Sequence, residues 1–364
     1  MNNSSFPNDF ELLEPALDTT QLDLPYLRHS LEWTILLIIA YSSIFIIGFI
    51  GNMCVVLVVV RTKSMRTVTN LFILNLAIAD LLVIIFCIPS TLLSNILIPW
   101  VLGWWMCKTV NYIQGVSVCA SVYSLVAISL DKFLGIWFPM KKGMAKRRAR
   151  IIIGLIWVIA SVVILPWALV FDLVEVGDSS AVTYCVEVWP AEVNGDLYFL
   201  LGNLLACYLL PLGGISLCYA LIWFRVIQRK VPKETASVAN VKKIHRKTKL
   251  GVLKMLMVVI LVFLLSWLPL YVIFTRIKFC KNLEEWEERL YSIATPLAQW
   301  LGSSNSCINP ILYTFLNAKF RRAFLTISPC RRAQKKVPTL QRRHAIKSSY
   351  HVRKHVSFGG VTGV

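Results

Sequence analysis

Seven stretches of this chain are apolar, long and nearly free of charge: residues 33–60, 68–98, 107–137, 151–171, 198–224, 251–275 and 290–316. Each supplies at least the ~20 residues that a helix needs to cross a bilayer. Hydrocarbon offers no partners to backbone N–H and C=O groups, so lipid-exposed segments must satisfy them internally, as helices. The pattern predicts an all-α membrane protein, a seven-transmembrane helix bundle. Composition agrees: 57% of the 364 residues are hydrophobic and 16% charged, where soluble domains carry about 25% charge. That excludes a soluble multidomain enzyme. Aromatic residues at 12% exclude a disordered or fibrous chain. Seven crossings place the two ends of the chain on opposite sides.

Charge sets the orientation. With the N-terminus outside, the inner segments 61–67, 138–150, 225–254 and 318–364, together with Lys132, hold 32 of the 38 Lys and Arg residues. This is a strong positive-inside signal. Sixteen of the 19 acids lie outside, including Glu187 and the run Glu284, Glu285, Glu287 and Glu288. Acids contribute little to topology, so this excess either steers a cationic ligand or is ordinary solvated surface. The expected organisation is an extracellular segment (1–32), the seven-helix domain (33–317), a short amphipathic helix eight (318–329) and a disordered basic cytoplasmic tail (330–364). The expected location is the plasma membrane.

Asn2 and Asn3 each open an N-glycosylation sequon on the outer segment. The first apolar run is too long for the core of a signal peptide, so no cleaved leader is expected. The basic runs Lys141 to Arg150 and Lys319 to Arg332 can lie against anionic lipid. No nucleic-acid partner is expected. No internal repeat supports a transporter built from inverted repeats. The histidines His29, His245, His344, His351 and His355 all fall outside the apolar blocks, so an intramembrane enzyme lacks an obvious base or metal cluster.

Of ten cysteines, Cys54, Cys87, Cys119, Cys207, Cys218 and Cys307 lie in apolar blocks and read as packing residues. Cys107 and Cys185 both face an oxidising compartment, and a disulfide between them would pin the outer loop 172–197 over the bundle. Cys280 is left over outside. Cys330, past the seventh block, is a palmitoylation candidate or an idle thiol.

Polar groups inside a bilayer are costly and point to function. Asp80, Ser121, Asn305 and Asn309 could cage a small hard cation, sodium foremost, or form a hydrogen-bonded packing network without an ion. No other metal and no organic cofactor is expected.

These residues belong to a wider pattern. Gly51-Asn52, LNLAIAD ending at Asp80, WVLG before Cys107, Asp131-Lys132-Phe133, Trp157, Pro211 with Tyr219, FLLSWLP with Phe263, Trp267 and Pro269, NPILY from Asn309 through Pro310 to Tyr313, and Phe320-Arg321-Arg322-Ala323-Phe324 follow in order, about one set per block. Across residues 35–328 the chain resembles the rhodopsin-like (class A) G-protein-coupled receptors. The resemblance implies a switch without covalent chemistry. Ligand in the outer cup biases Phe263, Trp267 and Pro269, the sixth helix swings outward, and a heterotrimeric G protein enters an inner crevice around Asp131, Lys132, Tyr219 and Tyr313. Pro269 suits a hinge, because it deletes a backbone hydrogen bond and kinks its helix. Two departures stand out. Lys132 replaces the usual Arg and loses the planar five-donor fork. Lys247-Thr248-Lys249 stands where many members carry an acid that locks that Arg, so raised basal activity is expected.

The amine-receptor Asp is absent, with Gln114 in its place, and residues 290–318 lack the retinal-binding lysine. Gln114 with Thr91 resembles the neuropeptide branch that includes neuropeptide FF, SIFamide and neuropeptide Y receptors, with trissin receptors close by. In that branch Gln114 and Thr91 would bind an amidated peptide C-terminus, a neutral group with donors and acceptors. Trp267, Tyr271, Phe274 and Gln299 would line the pocket, and Glu187 would meet basic ligand residues. Lys278 and Arg276 stand where an acid is often found, against that last expectation. A disulfide-bonded peptide, a non-peptide ligand, and more remotely a transporter or channel are the alternatives. Ser348, Ser349, Ser357 and Thr362 are candidate sites for receptor kinases and arrestin recruitment. Thr362-Gly363-Val364 fits a PDZ-domain ligand.

Overall fold

A computed structural model describes residues 26–138, 140, 143–177, 182–228, 236–280, 282–316 and 318–327. The expected glycosylation sites Asn2 and Asn3, Cys330 and the tail motifs lie outside them. Among the described residues, six helical spans are long and apolar enough to cross a membrane. Five of them are α1 (Leu31–Arg61), α2 (Val68–Ile96), α3 (Gly103–Trp137), α4 (Lys146–Val170) and α5 (Gly195–Val226). The sixth is the apolar part, Met257–Phe279, of α6 (Ala236–Phe279). The seventh block is divided at Ser304 into α7 (Glu285–Ser303) and α8 (Asn305–Leu316). Separately, α9 (Ala318–Ile327) is the short helix expected after the bundle, with Phe320 and Phe324 ring centroids 6.2 Å apart on one face.

Local chemistry explains the helix ends. Thr67 caps α2 by accepting from the Asn70 N–H at 3.3 Å. At the start of α7 the Glu287 carboxylate accepts from the Glu284 N–H at 3.1 Å, one half of a reciprocal capping box. Gly103 opens α3 at φ +77°, a left-handed conformation that glycine adopts without steric cost. Wide π-helical turns interrupt α2 at Val83–Cys87 and α5 at Phe199–Leu209. Such turns re-aim the side chains that follow and recur at functional sites.

One feature departs from a purely helical reading. The connection between α4 and α5 contains an antiparallel hairpin, β1 (Phe171–Val176) and β2 (Val182–Glu187), with Leu173 opposite Cys185. Its strands carry Val174, Val176, Val182, Thr183 and Val186, the β-branched residues that pleated structure favours.

The proline within α8 has a physical consequence. Pro310 has no N–H, so the carbonyl four residues earlier loses its helical donor. That carbonyl belongs to Ser306, and the Asn52 side-chain amide donates to it at 2.6 Å. Gly51 makes the approach feasible: a Cβ there would sit 2.8 Å from Pro310 Cβ. Gly51→Ala should therefore force α1 off α8 and cost about 1–3 kcal/mol, read as a lowered thermal midpoint of the purified protein. Gly154→Ala, where a Cβ would meet nothing within 4 Å, should leave the midpoint unchanged. Other buried amides tie further helices together. Asn75 donates to Ser124 Oγ at 2.8 Å and accepts from Trp157 Nε1 at 2.8 Å, joining α2, α3 and α4.

Candidate functional site

A cleft of about 520 Å³, counting its open mouth, lies between α3, α4, α5 and α6. Its walls are largely aromatic and aliphatic, among them Trp167, Phe199, Trp267, Tyr271 and Phe274; its amides are Gln114 and Asn203. Packing fixes these walls. Tyr271 stacks on Tyr208 with centroids 4.4 Å apart and donates its hydroxyl to Asn203 Oδ1 at 2.8 Å. Tyr208 donates to the Leu264 carbonyl at 2.7 Å, a second bond from α5 to α6. Beneath the cleft, Gly302 of α7 leaves room for the Trp267 ring: a Cβ there would approach it to 3.2 Å.

Four of the seven sequence-predicted ligand residues, Gln114, Trp267, Tyr271 and Phe274, line this cleft. The other three are placed elsewhere. Gln299 Oε1 accepts from Asn95 at 2.8 Å, and Asn95 also reaches the Tyr41 hydroxyl at 3.1 Å, which joins α1, α2 and α7. Thr91 is half-buried on α2, its carbonyl accepting from Ser94. Glu187 is engaged within the chain, accepting from Lys278 Nζ at 3.0 Å and from Trp189 Nε1 at 2.9 Å. Sequence reasoning missed Asn203, although an amide inside an apolar block is itself the signal for function.

The lip of the cleft is cross-braced by charge. Lys278 and Arg276, both on α6, pair with Glu187 of β2 and with the buried Glu287 of α7; the Arg276 pair measures 2.8 Å. Lys278 thus pairs with Glu187, the acid expected to meet basic ligand residues, and Arg276 with Glu287. On the opposite side Cys107 and Cys185 are joined, Cα to Cα 5.6 Å. Lys108 Nζ donates to the carbonyls of Leu169 and Phe171 at 3.0 and 2.7 Å and lies 3.3 Å from Asp172. The Leu173 backbone N–H, then Trp104 and Lys108, hold the exposed Asp172 carboxyl below the usual carboxylate range.

Of the four proposed cation ligands, Asp80 and Asn309 meet, the Asn309 amide donating to Asp80 at 3.0 Å. Asn305 instead donates to Ser266 of α6 and to the Gly302 carbonyl at 3.0 Å. Ser121 is buried on α3. Among the described residues no group of three or more His, Cys, Asp or Glu could hold a metal.

Toward the C-terminal end of α3 Lys132 is held by its neighbours. Its Nζ lies 3.0 Å from Asp131 and donates to Thr69 of α2. A lysine presents a compact charge with three donors rather than a planar fork, and two short reaches occupy it here. Tyr219 is buried on α5. Tyr313 lies in α8 and Lys247–Lys249 in α6; their side chains fall outside the description.

The profile of the family described as "7 transmembrane receptor (rhodopsin family)" matches residues 51–313. The neuropeptide Y receptor type 2 of Sus scrofa is 36% identical over 323 residues, covering 87% of this chain and 80% of that one. The Homo sapiens receptor of the same name matches at the same identity and coverage. The neuropeptide FF receptor 2 of Rattus norvegicus is 37% identical over 313 residues, covering 82% and 74%.

Proposed function

The chain belongs to the rhodopsin family of seven-transmembrane receptors, and on that premise we propose that it is activated by an extracellular neuropeptide with an amidated, RFamide- or SIFamide-like end. The occupied receptor promotes guanine-nucleotide exchange on a heterotrimeric G protein. It acts at the plasma membrane with its N-terminus outside. The carrying observation is the cleft itself. Its walls are largely aromatic and aliphatic, its side-chain amides are Gln114 and Asn203, and the nearby charges of Lys278 and Arg276 are paired with Glu187 and Glu287. A neutral amide flanked by an aromatic side chain matches that chemistry: amide to amide, ring to ring. Names of relatives that specify neuropeptides support the same class.

Signalling follows from the braces. Tyr271 and Tyr208 connect α6 to α5 directly beside the cleft. A ligand that engages Trp267 and Tyr271 therefore acts on α6 on both sides of Pro269, whose missing N–H leaves the helix one backbone bond short. Outward motion of the inner half of α6 opens the crevice beside Asp131 and Lys132. An allosteric sodium at Asp80 and Asn309, receptor kinases and arrestin at the tail, a PDZ-domain protein at Val364 and anionic lipid at the inner face complete the proposed set of partners.

Expression with a promiscuous G protein and a calcium reporter, screened with amidated neuropeptides, tests this reading. Nanomolar activation by an Arg-Phe-amide or SIFamide-type peptide supports it. Silence toward all amidated peptides at normal surface expression shifts the reading to a disulfide-bonded peptide or a non-peptide ligand.

Two variants probe the departures from the family pattern. Lys278→Ala releases Glu187 from its partner, so a peptide with a basic residue near its end should gain about fivefold in potency, the order of one exposed ion pair. An unchanged potency series shows that Glu187 does not meet the ligand. Lys249→Glu supplies an acid in the stretch where many members of the family carry one and should lower basal signalling at matched expression; unaltered basal signalling rejects the missing-lock account.

A further inference from the structure

Cys119 of α3 and Cys207 of α5 face each other with their sulfurs 3.4 Å apart, in S–H···S contact. Both are reduced and buried. Nothing in the peptide-binding account uses them. Three observations set them apart from packing cysteines. Their helices are held together at this level, because the Tyr123 hydroxyl of α3 donates to the Ala206 carbonyl of α5 at 3.1 Å. Cys207 lies within the π-helical stretch Phe199–Leu209, one turn after Asn203, and both line the cleft. The cleft is not fully enclosed. Buried thiols are ordinarily inert, but one that forms a cleft wall can be reached by a small solute.

We propose that Cys119 and Cys207 form a redox modification site at the cleft wall to which Cys207 contributes, oxidised to a disulfide by hydrogen peroxide entering the cleft. Cys207 is oxidised first. Its sulfur attacks one peroxide oxygen, the O–O bond breaks, and Cys207 sulfenic acid and one water result. The Cys119 sulfur then attacks the Cys207 sulfur, the S–O bond breaks, and hydroxide leaves with the Cys119 proton as a second water. Two electrons pass from the two sulfurs to peroxide. The product needs a sulfur separation near 2.05 Å, reached by closing the existing contact. The bond would tie α3 to α5 beneath the ligand. Its effect on signalling rests on the receptor reading, whereas its formation does not.

The test uses the full-length receptor in nanodiscs, treated with hydrogen peroxide, denatured, alkylated with iodoacetamide and mapped by mass spectrometry. The expected result is a linked Cys119–Cys207 peptide that disappears on reduction with dithiothreitol. Cys119→Ser should give no linked peptide and instead leave Cys207 sulfenic acid, captured by dimedone. Cys280, exposed and free, reports that peroxide was sufficient. The proposal is overturned if Cys119 and Cys207 remain fully alkylated when Cys280 is oxidised. It is equally overturned if linkage occurs only to other cysteines. Because the wild-type protein carries the primary readout, a poorly folding variant does not obscure the outcome.

Discussion

Gln114→Ala is expected to raise the concentration of an amidated peptide needed for half-maximal response about 10- to 100-fold at unchanged surface expression, equivalent to one buried polar contact of roughly 1–3 kcal/mol. Gln114 is one of two amides in a cleft otherwise largely apolar. A peptide amide entering there gives up water on both its N–H and C=O sides, and Gln114 is the group that can return both. Alanine leaves the ligand's polar end desolvated without a partner, which is the costly case. Gln114→Glu keeps the acceptor and loses the donor, so it should retain N–H recognition and lose carbonyl recognition. It should therefore fall between wild type and alanine for an amidated peptide and discriminate strongly against the free acid. Equal responses from all three receptors would place the amide elsewhere.

The second large effect is at the outer face. Cys107→Ser should remove most receptor from the cell surface, because a disulfide closing a long loop contributes about 2–5 kcal/mol. The bond spans 78 residues and holds the hairpin against α3. Other restraints remain, including the Trp100 N–H bond to the Thr183 carbonyl at 2.7 Å and the Lys108 contacts. They hold the folded hairpin at Thr183 and Phe171 but leave the constraint on the unfolded chain missing. Cys185→Ser should match Cys107→Ser, and the double variant should be no worse than either, since one bond is lost in all three. Cys54→Ser, outside any disulfide, serves as the neutral control. Surface biotinylation of the four variants gives the answer.

The bundle is legible in the sequence because the bilayer leaves the backbone few choices: a long uncharged run is a helix or is not in lipid. Where that constraint lapses, legibility lapses too. The hairpin Phe171–Glu187 lies in a loop, and its short strands give no signal of membrane length. The division at Ser304 is hidden inside a run that stays apolar on both sides, and only the pairing of Asn52 with Ser306 shows what Pro310 leaves open. The aromatic part of the cleft is legible through family resemblance. The lip is not, because Lys278 and Glu187 are 91 residues apart and their pairing depends on the hairpin. Family resemblance offers Glu187 as a ligand contact, and the fold adds its pairing with Lys278. Asn203 carries the opposite lesson. It is an amide in an apolar block, the same signal that singled out Asn305 and Asn309, and it faces the cleft.

The central claim is that occupancy of this cleft by a peptide drives nucleotide exchange. The direct measurement places the purified full-length protein in nanodiscs with a heterotrimeric G protein and follows binding of a non-hydrolysable GTP analogue with and without amidated peptides. Exchange that rises with peptide in wild type and requires proportionately more peptide in Gln114→Ala is the predicted result. Exchange that no peptide alters in any G-protein subtype, alongside ion current or solute flux through the same nanodisc-competent protein in planar bilayers, would contradict it.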